Sequence, residues 1–211
     1  MSQINHHIAE PMLVAYAAGS LEYPFALVVA AHVSLCDECR ARLGAHEAVG
    51  GTLLETLSAE SVSATTRDAV FARLDADPDP ETVYQRAGVF PAPVMAALKG
   101  RPPRWKSVGK GVRQNILHMG AEGSVRLLYI PPGRAVPDHG HRGIELTLVL
   151  QGSFSDEVGH FGVGDLEIAD ETLEHTPIAG NGAPCICLAA TDAPLRFTSV
   201  IPRILQPIFR I

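Results

Sequence analysis

The chain has 211 residues, 46% of them hydrophobic and 19% charged, with a formal net charge of −6 at pH 7. That balance describes a soluble globular protein with room for one large domain or two small ones. It excludes the basic footprint of a direct nucleic-acid binder, and no run nears the roughly 18 consecutive apolar residues of a membrane span.

The opening residues, Met1-Ser-Gln-Ile-Asn-His6-His7, lack the basic stretch and apolar core of a signal peptide. A cytoplasmic location without a membrane partner is therefore expected. In that reducing compartment the four cysteines suggest metal or redox chemistry before a disulfide framework.

The first ~75 residues are rich in Ala and Leu, and their periodicity predicts three or four helices. One covers roughly Glu10 to Ala18 and stops at Gly19; a second runs from about Pro24 to His32. A third starts near Cys36 and continues towards Leu57, with Gly50-Gly51 as its weak point. A fourth follows a capping box formed by Thr65 and Asp68 and carries Val70, Phe71 and Leu74 on its apolar face. Asp75-Ala-Asp-Pro-Asp-Pro-Glu81 breaks this pattern, and Pro78, Pro80, Pro91 and Pro93 punctuate a stretch without periodicity. It reads as a linker over residues 77–104, between a helical domain (1–76) and a β domain (105–211) whose sites it would hold apart.

From Trp105 onward, short runs such as Ser124 to Ile130, Glu145 to Leu150, Asp165 to Ala169 and Cys185 to Ala190 alternate with Gly, Pro and Asp clusters. Many short strands at this spacing predict a β-sandwich or barrel. The fold class expected is thus multi-domain: all-α first, all-β second.

His32-Val-Ser-Leu-Cys36-Asp-Glu-Cys39 spells His-x3-Cys-x2-Cys. Two thiolates at a helix start and an imidazole at the end of the preceding helix can supply three corners of a tetrahedral zinc site. His6 and His7 are both candidates for the fourth. The plainer reading is a pair of buried cysteines beside a solvent-facing histidine. Asp37 and Glu38 suit the helix N-terminus electrostatically.

The second motif runs from Gly133 through His139, His141 and Glu145 to Gly152, spelling G-x5-H-x-H-x3-E-x6-G. The two histidines and the glutamate share odd parity, so on extended chain they face one side. Two imidazoles and a carboxylate there suit zinc or another divalent metal. A further histidine should complete the set, and His160 and His175 flank the Gly162-Val-Gly164-Asp165 turn. His46 and His118 have no partners in sequence and read as surface or packing residues.

Leu146, Leu148 and Leu150 point away from this metal-facing set. Burial within the barrel's own double sheet is the simplest explanation, with another strand layer, the linker or a second chain as alternatives. Cys185 and Cys187 alternate onto one side of a late strand and read as buried, unreactive thiols, redox-active only if near the metal.

Two resemblances follow from these motifs. The segment from Gly133 to Gly152 is similar to the first cupin motif, which implies a double-stranded β-helix barrel. His-x3-Cys-x2-Cys, with Cys36-Asp-Glu-Cys-Arg-Ala-Arg42 and Ala15-Tyr-Ala-Ala-Gly19, resembles the zinc-binding anti-sigma domain. Taken together, essentially the whole chain is similar to the ChrR family of anti-sigma factors. That resemblance implies zinc on His32, Cys36, Cys39 and an N-terminal histidine, with register favouring His7, and a barrel metal on His139, His141, Glu145 and His175. It implies two metals per chain, a 1:1 complex with an extracytoplasmic-function sigma factor, and release of that sigma factor under singlet-oxygen-type stress. The expected protein is a regulator, not an enzyme. The alternative is a metal-dependent cupin enzyme, a dioxygenase or isomerase, carrying an accessory zinc domain.

Overall fold

The computed structural model describes residues 3–74, 82–136, 139–140, 143–193 and 196–197. Among them five helices precede twelve strands, so an all-α part leads into an all-β part. The helices are α1 (Glu10–Ala17), α2 (Tyr23–Val33), α3 (Asp37–Glu55), α4 (Ala64–Leu74) and α5 (Ala92–Ala97).

Local chemistry explains their ends. α1 and α2 open on Pro11 and Pro24, in the first turn where a missing N–H breaks no helical bond. Gly19, at φ +67°, turns the chain out of α1 through a left-handed conformation that suits glycine. α3 is capped by Cys36, whose sulfur accepts the Cys39 N–H at 3.5 Å, and Asp37 and Glu38 occupy its first turn. It passes through Gly50-Gly51 unbroken to Glu55. α4 starts one residue before Thr65, and its cap is Ser63, which accepts the Thr66 N–H at 3.1 Å; the Thr65–Asp68 box is not used. α5 lies inside the stretch read as linker and packs on α2.

The strands are β1 (Lys106–Gly109), β2 (Val112–Gly120), β3 (Gly123–Ile130), β4 (His139–Gly140), β5 (Glu145–Gln151), β6 (Phe154–Ser155), β7 (His160–Phe161), β8 (Leu166–Ala169), β9 (Glu174–His175), β10 (Ile178–Ala179), β11 (Cys185–Thr191) and β12 (Arg196–Phe197). A six-stranded sheet runs β1-β2-β3-β11-β5-β8, and two three-stranded sheets, β10-β6-β7 and β12-β4-β9, complete the cupin. All of these pairings are antiparallel.

Register sorts the large sheet into two faces. Leu146 pairs with Ala190, Leu148 with Leu188, and Leu188 with Leu127, so all share one face. That face joins Phe25, Leu27, Val28 and Val29 of α2 in one buried cluster. The cover over Leu146, Leu148 and Leu150 is therefore the helical part of the same chain, not the second cupin sheet. α2 is apolar nearly all round because α1, α3 and α5 flank it on one side and β3, β5 and β11 on the other. Each large side chain buried there contributes roughly 1.5–3 kcal/mol, so parting helices from barrel would expose several such contributions together.

The opposite face is the barrel interior. It carries Glu145, Thr147 and Val149 of β5, Glu167 opposite Thr147, and Cys187 and Ala189 of β11. Arg126 lies buried there too, donating to Gln114 Oε1 at 3.1 Å and Ser124 Oγ at 2.8 Å.

Candidate metal sites and docking face

The helical site is built at the junction of three segments. α2 ends at Val33 and places His32 in its last turn, the Cys36 cap starts α3, and Cys39 follows one turn later. The extended strap before α1 brings in His7. Its Nδ1 lies 3.4 Å from Cys36 Sγ and 3.6 Å from Cys39 Sγ. Ligand atoms of His7, His32, Cys36 and Cys39 all fall within 4.8 Å of one another. Metal–ligand bonds of ~2.0–2.3 Å give tetrahedron edges of about 3.3–3.8 Å, which matches the two His7–sulfur distances. His6 points elsewhere, its ring centroid 4.4 Å from that of Phe161.

His32 carries a further sign of a metal site. It is fully buried, and neither ring nitrogen makes a hydrogen bond of normal geometry, the Gly164 backbone offering only a marginal contact. Burial, reinforced by His7, pushes its pKa down to about 4, so the imidazole is neutral and ligand-competent at pH 7. An orphaned neutral imidazole beside two buried thiols is costly in a bare core and natural beside a metal. Glu38 lies 3.4 Å from His7 Nε2, which directs Nδ1 at the cysteines, an arrangement common around ligating histidines. These four residues could hold a metal.

In the barrel, the backbone brings His139 opposite His175 on the β4–β9 pair. Glu145 stands on β5 and accepts a hydrogen bond from Thr147 at 2.9 Å. The side chain of His139 and the whole of His141 lie outside the described residues. His175 is 1% exposed, with Nδ1 2.7 Å from Asp156 Oδ2 and 3.3 Å from Glu167 Oε1. Asp156, Glu167 and His175 thus form a second group that could hold an ion.

The charges of this trio are tied together. Burial would lower His175, yet Glu167 and Asp156 hold its pKa at about 9. Burial pushes Glu167 up to about 7. Burial would also raise Asp156, but its bonds to Glu167, His175 and the Gly159 and Val158 N–H groups hold it at about 2. With its pKa at about 9, His175 is protonated at pH 7, so a metal at Nε2 would have to displace that proton while the carboxylates keep Nδ1.

Sequence reasoning missed Asp156 and Glu167. The one signal for Glu167 was an acid inside the apolar run Leu166–Ala169; Asp156 looked like an ordinary turn residue. His160 is exposed and bonds Ser155 Oγ at 2.8 Å. His46 bonds Glu10 at 2.7 Å and His118 bonds Glu122 at 2.6 Å, so both serve local packing. Cys185 and Cys187 are buried with sulfurs 3.4 Å apart, and the Cys187 thiol is pushed far up by its bond to Cys185 and by burial. Such thiols are poor nucleophiles.

A third feature is apolar and open. The far half of α3 and the segment through α4 expose Val49, Leu53, Leu54, Leu57, Phe71 and Leu74, the last at 71%. No residue of α4 is buried. No helix among the described residues is long and apolar enough to cross a membrane.

A cupin whose outer sheet face is sealed by a His2Cys2 helical module, with an apolar helical face left open, describes a two-part binding protein. Residues 96–193 match the ChrR cupin-like domain family. The chain is 56% identical over 212 residues to the anti-sigma-E factor ChrR of Cereibacter sphaeroides, covering 99% of both. It is also similar to the crystal structure of Rhodobacter sphaeroides SigE in complex with the anti-sigma ChrR, at TM-score 0.81 and 54% identity, covering 90% of this chain and all of that one. The chain belongs to the ChrR family of anti-sigma factors. The family is regulatory, which sets aside the dioxygenase or isomerase alternative.

Proposed function

We propose that this chain is an anti-sigma factor that sequesters an extracytoplasmic-function sigma factor in a 1:1 complex and so represses transcription in the cytoplasm. Residues 1–76 hold the sigma factor, 77–104 connect, and 105–211 form the sensing barrel. The observation that carries the reading is the set of exposed apolar side chains on the far half of α3 and on α4, in a helical part that brings His7, His32, Cys36 and Cys39 together. A helix face of this kind is a groove-filling or groove-forming surface for a partner. Its exposed area is unexplained by any contact among the described residues.

The metal at the helical site is zinc on this reading, because two thiolates and two imidazoles in a tetrahedral frame suit that ion. Zinc there supplies folding free energy to a small helical module. A second divalent metal, zinc or another, is assigned to His139, His141, Glu145 and His175, with Asp156 and Glu167 orienting His175. Neither nucleic acid nor membrane is a direct partner. Release follows oxidative stress of the singlet-oxygen kind, registered in the barrel.

Co-expression with an extracytoplasmic-function sigma factor from the same genome tests the core of the proposal. A stoichiometric complex on size-exclusion chromatography, lost when sigma-binding residues on α4 are changed, is expected. Separate elution of two folded proteins would overturn it.

A further inference from the structure

The strap that delivers His7 is held by the barrel. Asp165, 4% exposed in the turn before β8, accepts the Asn5 N–H at 2.7 Å and the His6 N–H at 2.9 Å, both on Oδ1. Its other oxygen accepts the Gly162 N–H at 2.8 Å, which fixes the carboxylate within the turn. The Leu166 N–H returns a bond to the His6 carbonyl at 3.2 Å. The turn is anchored in its turn to β5, through Gly164 N–H to Val149 at 2.9 Å and Val149 N–H to Asp165 at 3.1 Å. Gly164 is closely packed by the strap: a Cβ there would meet Ile4 Cδ1 at 2.5 Å. On the far side of His7, Ile8 is buried in the same apolar cluster as Cys36 and Cys39. The strap is thus pinned immediately before and immediately after the residue whose imidazole meets the thiols.

Chemistry separates this arrangement from ordinary loop packing. A buried carboxylate accepting three backbone N–H groups forms charge-assisted bonds of fixed direction. Two of those groups belong to the peptide units leading into His7, so carboxylate and ligand are coupled through one rigid stretch of backbone. The clasp residue is also two positions from Glu167, which touches His175. The start of β8 therefore lies between the strap that carries His7 and the carboxylate that touches His175.

We propose that Asp165 is a positioning residue for the helical metal site: the barrel, through this carboxylate, holds His7 in ligating position. This rests on the reading that His7, His32, Cys36 and Cys39 bind metal. It makes the His7 corner of that site the one the barrel can tighten or release.

The test is Co2+ and Zn2+ binding to the thiolate site of the full chain, read by the sulfur-to-cobalt charge-transfer band and by competition with a chromophoric chelator. Asp165→Ala is expected to weaken this site by about ten- to a hundred-fold, the usual range for a residue that orients a ligand. Asp165→Asn, which keeps an acceptor oxygen, should lose less and serves if the alanine variant does not fold. The decisive comparison is the double variant. His7→Ala with Asp165→Ala should be no weaker than His7→Ala alone, because a clasp without its ligand has nothing to position. Unchanged affinity in the Asp165 variants, or losses that add, would overturn the proposal while leaving the metal site standing. A wild-type chain that binds no metal through its thiolates would overturn both.

Discussion

Leu148 and Leu188 are cross-strand partners on β5 and β11, both fully buried beneath α2. The most apolar helix of the first part and the central strands of the second therefore share one core. That relationship makes the two parts interdependent in stability.

Truncating Leu188 to Ala should cost about 2–5 kcal/mol, as a large-to-small change at a fully packed site. Because the cavity opens beneath α2, the helical circular-dichroism signal and the tryptophan signal of Trp105 should be lost in one cooperative transition shifted to lower denaturant. Two separated transitions, with only the barrel one moved, would show that the shared core contributes little.

Cys36→Ser or Cys39→Ser should remove one zinc per chain and abolish sigma inhibition. A buried thiolate contributes a ligand, whereas serine at position 36 can still cap α3, so the variant removes the metal corner while keeping the helix start. Metal content by mass spectrometry and binding by gel filtration check both halves. Tight sigma binding with one metal lost would make the metal incidental to inhibition.

Phe71 and Leu74 are 60% and 71% exposed, so their replacement should leave the fold alone. Phe71→Asp should move the melting temperature little while weakening sigma binding at least tenfold, since an exposed aromatic at a contact centre is a typical hot spot. Undiminished binding would place the docking face elsewhere.

What was legible in the sequence was local. Cys36 and Cys39 lie one turn apart, whereas parity set His139 and Glu145 on one extended chain and the structure places them on β4 and β5, in different sheets. Helix α2 was legible from its apolar run, but what it covers was not: nothing in Leu146, Leu148 and Leu150 names the partner layer. The carboxylates at Asp156, Asp165 and Glu167 were also silent, because a single acid has no spacing signature and acquires its role from backbone brought near in three dimensions. The Ser63 cap displaced the Thr65–Asp68 box for a simpler reason: adjacent hydroxyl residues, Ser63, Thr65 and Thr66, offer competing helix starts.

The last expectation concerns signal. Glu145→Ala removes a proposed barrel ligand, and Asp156→Asn removes the carboxylate 2.7 Å from His175 Nδ1. Neither touches α4, so both variants should still hold the sigma factor, and basal transcription should stay low. Both should blunt induction, Glu145→Ala fully and Asp156→Asn partly, because losing an orienting carboxylate weakens a histidine ligand without deleting it. A signal moves an equilibrium only if it acts differently on the bound and released states, and on the proposed reading the barrel metal centre is the place in the second part that registers an oxidant. Sigma-dependent transcription with and without singlet oxygen, in cells carrying each variant, makes the measurement. Wild-type induction in both would mean the barrel site is structural. High basal transcription would mean something different: since β8 joins Glu167 to the Asp165 clasp, disturbing the barrel would then have loosened the His7 corner and released the sigma factor without any oxidant.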